Sequence, residues 1–172
     1  KLNTDCEEAS RPNIYESWAM GTATFMIMGD TCTRACGLWD VNTGKPCDLD
    51  DLEPLRVAES VQTMGLTHAV VTSVNRDDLS DGGSNFFAET ITEIKRVNPE
   101  TSVEVLIPDF KGDKSSIDNI IRANPEVLNH NLETVPRLQR EIRTAASYGR
   151  SLSLLQYAKN SAFLGKTKTG LI

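Results

Sequence analysis

Thr22-Ala23-Thr24-Phe25-Met26-Ile27-Met28-Gly29-Asp30-Thr31-Cys32-Thr33-Arg34-Ala35-Cys36-Gly37-Leu38-Trp39 is the stretch on which the fold turns. Thr24–Gly29 is a short apolar run of the kind that forms a parallel strand buried on both faces. A polar loop with Cys32 and Cys36 follows at once, so the chemistry sits just past the strand's C-terminal end. Ligands collect at that end of the strands in parallel α/β folds.

Working outward, strands and helices alternate. Leu52–Met64 reads as a helix, with Pro54 near its start, Gly65 as its stop, and Leu55, Ala58, Val61 and Met64 as its apolar stripe. Thr67–Val74 is the second strand. Ser84 is placed to cap a helix running to Val97, with Phe87, Ile91 and Ile94 inward. Ser102–Ile107 is the third strand, with Val103, Val105 and Ile107 alternating. A short helix from Ser115 or Ser116 to Ala123 precedes the fourth strand, Val127–Leu132. Helices around Val135–Ala145 and Arg150–Phe163 follow, and Thr169–Ile172 opens a fifth strand. Such an order predicts an α/β fold of parallel βα units with right-handed crossovers.

Cys32, Cys36 and Trp39 stand where a CxxxCxxC iron–sulfur signature has three cysteines. Cys6, Arg11 and Ser17 stand where a CxxxxCxxxxxC signature has another three. A [4Fe–4S] cluster needs soft thiolates, normally four, or three with a substrate on the open iron. Indole cannot ligate iron, and Arg11 puts a permanent charge where a thiolate belongs. Serine is a milder change at position 17. The plain reading of Cys47 is a small buried hydrophobe.

The chain resembles lipoyl synthase, a radical S-adenosylmethionine (SAM) enzyme. The residues that carry the likeness include Cys6-Glu7-Glu8-Ala9-Ser10, Pro12-Asn13-Ile14, Thr22–Ile27, Asp30–Cys36, Val71–Val74, Arg76–Leu79, Asp81-Gly82-Gly83, Val103–Phe110 and Leu128–Thr134. The resemblance implies an incomplete radical-SAM-type (β/α) barrel over 23–172, with about four βα units and the start of a fifth strand. It also implies an N-terminal segment, 1–22, like the family's auxiliary-cluster region. In the family, the CxxxCxxC cluster cleaves SAM. The second cluster supplies sulfur for insertion at two unactivated carbons of a protein-bound octanoyl chain, and a C-terminal serine completes its site. By position, Cys32 and Cys36 match SAM-cluster ligands and Cys6 an auxiliary ligand. Arg11, Ser17 and Trp39 depart from the pattern, as do Leu38, Asn75 and Phe86. The chain ends before a position for the serine.

Ser73, Asn131 and Glu133 fall where the resemblance puts SAM's polar groups. Small polar residues at strand ends also serve as turn and cap residues; their clustering at one end favours the inherited role. His130 reads as a packed, hydrogen-bonded histidine, because Asn129 and Asn131 point to the opposite strand face. Asp81-Gly82-Gly83 could cradle a carboxylate through its N–H groups or make an ordinary turn. Asp48, Asp50, Asp51 and Glu53 read as a solvated helix start at the positive end of the dipole.

A net charge of −6 over 172 residues, with scattered Lys and Arg, argues against a nucleic-acid partner. No apolar run reaches the roughly 18–20 residues that span a bilayer. The sequence therefore predicts a non-catalytic lipoyl-synthase-like protein, a structural or interaction subunit of a larger assembly. It would need other protein subunits to cover an open sheet edge, and would bind no cofactor. The expected setting is a mitochondrion or plastid, or the cytoplasm of a bacterium. The alternative is an authentic lipoyl synthase, of which this is an incomplete or substituted sequence, with 4Fe–4S clusters, SAM and a lipoyl-carrier protein. A third reading is a SAM or small-molecule binding module.

Overall fold

The computed structural model describes residues 3–4, 19–34, 41–143 and 145–171, with the side chains of residues 3, 4, 140 and 142 left aside. Cys6, Arg11, Ser17, Cys36, Leu38 and Trp39 lie outside the described residues.

The strands are β1 (Asn3–Thr4), β2 (Thr22–Ile27), β3 (Thr31–Cys32), β4 (Asn42–Thr43), β5 (His68–Ser73), β6 (Ser102–Leu106), β7 (Val127–Asn129) and β8 (Lys166–Lys168). The helices are α1 (Glu53–Thr63), α2 (Ser84–Val97), α3 (Lys114–Ala123), α4 (Gln139–Ile142) and α5 (Tyr148–Asn160). One six-stranded sheet runs in the order β1-β2-β5-β6-β7-β8, and β3 pairs with β4 in a separate ribbon. The five strands from β2 to β8 are parallel neighbours, joined by crossovers, and β1 adds antiparallel to β2. This is a partial (β/α) barrel. The N-terminal strand pairs along β2, at the sheet edge opposite β8.

Register sorts the side chains. Phe25, Val71, Val105 and Leu128 lie in one row across four strands. Each is buried against the helical layer, with Val57, Val61, Phe87, Ile91, Ile94, Ile120 and Leu154. Burying one such side chain is worth about 1.5–3 kcal/mol, so this single contiguous layer is the fold's main support. The next row, Met26, Thr72, Leu106 and Asn129, faces away from that layer. Glu104 lies on the same side and is 5% exposed. It is neutralised there by Lys168 Nζ at 2.8 Å and receives Asn129 Nδ2 at 3.2 Å.

Several expected boundaries shift for local reasons. Met28 takes φ +66 and ends β2 before Gly29. Helix α1 buries Pro54, Val57, Ala58 and Val61, so Val57 rather than Leu55 belongs to the stripe, and Met64 is 46% exposed. Ser84 is the first residue of α2, not its cap. Asp81 does the capping, accepting from Gly83 N, Asn85 N and Ser84 Oγ. Asp113 caps α3 through Ser116 N at 2.9 Å. Beyond Leu132, a 3-10 turn and the one-turn α4 replace a full helix over Val135–Ala145. β7 is shorter than expected. The fifth strand is Lys166–Lys168, ahead of Thr169–Ile172, where only a bridge from Glu133 to Leu171 continues the pairing.

Candidate functional site

The strand ends meet at a cleft of about 90 Å³ lined by Cys32, Ser73, Asn75, Asn131, Glu133 and Arg143, with Met26, Val74, Leu106 and Pro108 as its apolar wall. The structure thus brings together four residues singled out from the sequence: Cys32, Ser73, Asn131 and Glu133. Cys6 and Cys36 lie outside the described residues.

Cys32 is 3% exposed. Its sulfur accepts from Arg34 N at 3.4 Å and Asn75 Nδ2 at 3.7 Å. The backbone around it is tied to the end of β5. Thr33 N and Thr33 Oγ1 donate to Asn75 O, and Asp77 N donates back to Thr33 Oγ1. Upstream, Met28 N donates to Glu53 Oε2 at 2.8 Å, while Arg76 Nη1 donates to Met28 O at 3.1 Å. Glu53 is therefore not the solvated residue expected of a helix start. Burial raises its pKa, against the pull of the Met28 N–H. Cys47 also departs from expectation. It is exposed, on a loop whose carbonyl accepts from the buried Arg76.

On the far wall, Glu133 holds a left-handed backbone, φ +63, while 5% exposed. A non-glycine residue in that region is costly and is retained where the surroundings dictate it. Gln139 does so here, donating from Nε2 to Leu132 O at 2.8 Å and Thr134 O at 3.0 Å. Arg143 Nη1 donates to Asn131 O at 3.1 Å, which presents its guanidinium to the cleft. A Cβ on Gly170 would meet Asn131 Oδ1 at 2.8 Å, so glycine there lets the chain pass close beside Asn131. Arg143 and Gln139 went unnoticed in the sequence. A cation ten residues beyond a strand-end carboxylate was the available signal for Arg143.

His130 is 1% exposed and bonded at both nitrogens, to Ile107 O at 2.8 Å and Ser151 Oγ at 2.8 Å. Burial lowers its pKa, reinforced by the charges of Arg143 and Arg34 and opposed by the Ile107 bond and Asp109. The ring is neutral, with Nδ1–H donating to Ile107 O and Nε2 accepting from Ser151. It is the packed histidine that the sequence predicts. Asp81-Gly82-Gly83 is the ordinary turn of the two readings, because Asp81 itself occupies the N–H groups that a carboxylate would use.

The donor set at Cys32, Cys36 and Trp39 holds two thiols and an indole. It does not match the three thiolates of a site-differentiated cluster. Among the described residues no group of three His, Cys, Asp or Glu is placed to hold a metal ion.

A parallel (β/α) sheet with a cysteine loop after its first barrel strand and a polar cleft across the next strand ends defines a class. The chain belongs to the radical SAM superfamily, whose family model matches residues 26–172. Within it, the similarity is to lipoyl synthases. It is 53% identical over 171 residues to the lipoyl synthase of Flavobacterium johnsoniae, covering 99% of this chain and 59% of that protein. It is 56% identical to that of Rubrobacter xylanophilus, covering 99% and 53%. It is 51% identical to the mitochondrial lipoyl synthase of Nematostella vectensis, covering 100% and 59%. The chain thus spans a little over half the length of these relatives. Among solved structures, methylornithine synthase (PylB) superposes with a TM-score of 0.65 at 14% identity, over 87% of this chain and 44% of that one. That likeness concerns the fold alone.

Proposed function

We propose that this chain is a lipoyl-synthase-like protein that keeps a SAM-binding cleft but does not perform sulfur insertion, and that it serves as a structural or interaction subunit beside other proteins. The observation that carries the cleft is the meeting of Glu133, Arg143, Ser73 and Asn131 beside Cys32. SAM ends in an ammonium and a carboxylate a few bonds apart. In this reading Glu133 receives the ammonium, Arg143 the carboxylate, and Ser73 and Asn131 hydrogen-bond the remaining polar groups. The apolar wall of Met26, Val74 and Leu106 excludes water from the ligand. The absence of sulfur insertion rests on the sequence: Arg11, Ser17 and Trp39 replace thiols at both cluster motifs. An organellar setting rests on the relative named mitochondrial.

Titration calorimetry with SAM and S-adenosylhomocysteine, beside anaerobic iron and sulfide analysis, tests the proposal. Saturable binding with far fewer than four irons per chain supports it. No binding of either ligand overturns the cleft assignment. Close to four irons, with 5′-deoxyadenosine and lipoylated product, overturns the non-catalytic reading. It would establish the second reading, an active lipoyl synthase. Trp39→Cys alone is expected to restore no turnover, because the Cys6, Arg11, Ser17 set remains incomplete.

A further inference from the structure

We infer that Arg34 is a positioning residue: its guanidinium latches the Cys32–Arg34 segment onto the ends of β5 and β6, and Asp109 extends the same hold to α5. Arg34 sits between the two cysteines in sequence and lines the cleft. Position alone would suggest a ligand-binding cation. Its bonds show otherwise. Nε and Nη2 grip the two oxygens of Asp77 at 2.5 and 2.8 Å, and Nη2 also reaches Asp109 Oδ1 at 2.9 Å. The Nε–Nη2 edge of the guanidinium is thereby committed to carboxylates. Arg143 differs, since among the described residues its hydrogen bonds go to backbone carbonyls.

The latch is a buried one. Arg34's side chain is 9% exposed and that of Asp109 is 1% exposed. A bidentate arginine in such a place fixes geometry as well as charge, and removing one partner strands a charge away from water. The backbone ties at Thr33 reach only β5. Arg34 reaches one strand further, to Asp109 after β6. The second oxygen of Asp109 accepts from Arg150 Nη1 at 2.8 Å. Arg150 lies in the first turn of α5, just beyond the segment bearing Asn131, Glu133 and Arg143. One carboxylate is therefore shared by the Cys32–Arg34 segment and the opposite wall of the cleft, and Lys111 Nζ adds a third cation, 3.8 Å from Asp77 Oδ1. The inference does not depend on what the cleft binds.

The test is site-resolved alkylation of the reduced, purified full chain with iodoacetamide, read by mass spectrometry, with exposed Cys47 as the internal reference. Urea unfolding is run in parallel. In the wild type, Cys32 reacts more slowly than Cys47. Arg34→Gln raises the Cys32 rate relative to Cys47 by about tenfold or more, as release of a local segment does. Arg34→Lys keeps the charge, loses the fork and gives a smaller rise. Asp109→Asn keeps the arginine charge beside the thiol and also raises the rate. An unchanged Cys32 rate in Arg34→Gln overturns the latch. So does a rise in Asp109→Asn alone, which would mark an effect of charge on the thiol, because losing the carboxylate favours the thiolate and losing the guanidinium disfavours it. A rise no larger than the loss of global stability accounts for would mark a merely structural role. If Arg34→Gln does not fold, Arg34→Lys and Asp109→Asn decide the matter by the same criteria.

Discussion

Ser151→Ala isolates the chemistry of the buried histidine. The serine is 1% exposed, and its hydroxyl gives His130 Nε2 a hydrogen bond at 2.8 Å. Alanine fits the same space, so no cavity opens. What is lost is the donor to a buried acceptor, which costs about 1–3 kcal/mol. For a domain of this size that is about 2–4 °C in Tm for each kcal/mol. The assay is urea unfolding at pH 8, where the unfolded histidine is also neutral, so proton uptake does not contribute. The midpoint is expected to fall with an unchanged m-value. The same burial sets the pH dependence. Because His130's folded pKa is lowered, its contribution is present above the unfolded value of about 6.5. It is lost as pH falls below that value, and His130→Gln removes that slope. A midpoint for Ser151→Ala within error of the wild type at pH 8, or a histidine that titrates normally by NMR, would refute the reasoning.

Three further outcomes are expected. Glu53→Ala leaves Met28 N–H without its acceptor and lowers stability by about 1–3 kcal/mol, whereas Glu53→Gln keeps the acceptor and loses less; urea midpoints separate the two. Asp109 and Glu104 have folded pKa values below the ordinary range, with burial opposing and their arginine, histidine and lysine partners prevailing. Their stabilisation is present above the unfolded values of about 3.9–4.3 and lost as pH falls through the folded ones, so Asp109→Asn flattens the acid limb of a stability–pH curve. Gly83→Ala destabilises strongly, because φ is +87 and the new methyl would strike Met28's thioether; circular dichroism melting should show a lower Tm.

The alternation of strands and helices was legible because period-two and helical patterns are local. Val103 and Val105, and Phe87, Ile91 and Ile94, all came out buried where their spacing put them. Cys32, Ser73, Asn131 and Glu133 were legible as a group because a barrel gathers its strand ends. The rest depended on long side chains reaching across the fold. Arg34 meets Asp109 over 75 positions and Glu53 meets Met28 over 25, and no local pattern announces either. Capping by Asp81 and Asp113 was missed in favour of nearby serines. Carboxylates that accept two or more N–H and O–H groups outcompete a single hydroxyl.

The strand order in the sheet is the strand order in the chain. Each of β5, β6, β7 and β8 hydrogen-bonds to the barrel strand made just before it. As the chain leaves the ribosome, every new βα unit can therefore dock on a surface that already exists, without waiting for a distant partner. The bridge from Asp109 to Arg150 must await α5, and the pairing of β8 with the Glu104–Lys168 bridge follows it. Assembly of the scaffold can proceed unit by unit, and the walls of the cleft are fastened to each other only after α5 has emerged.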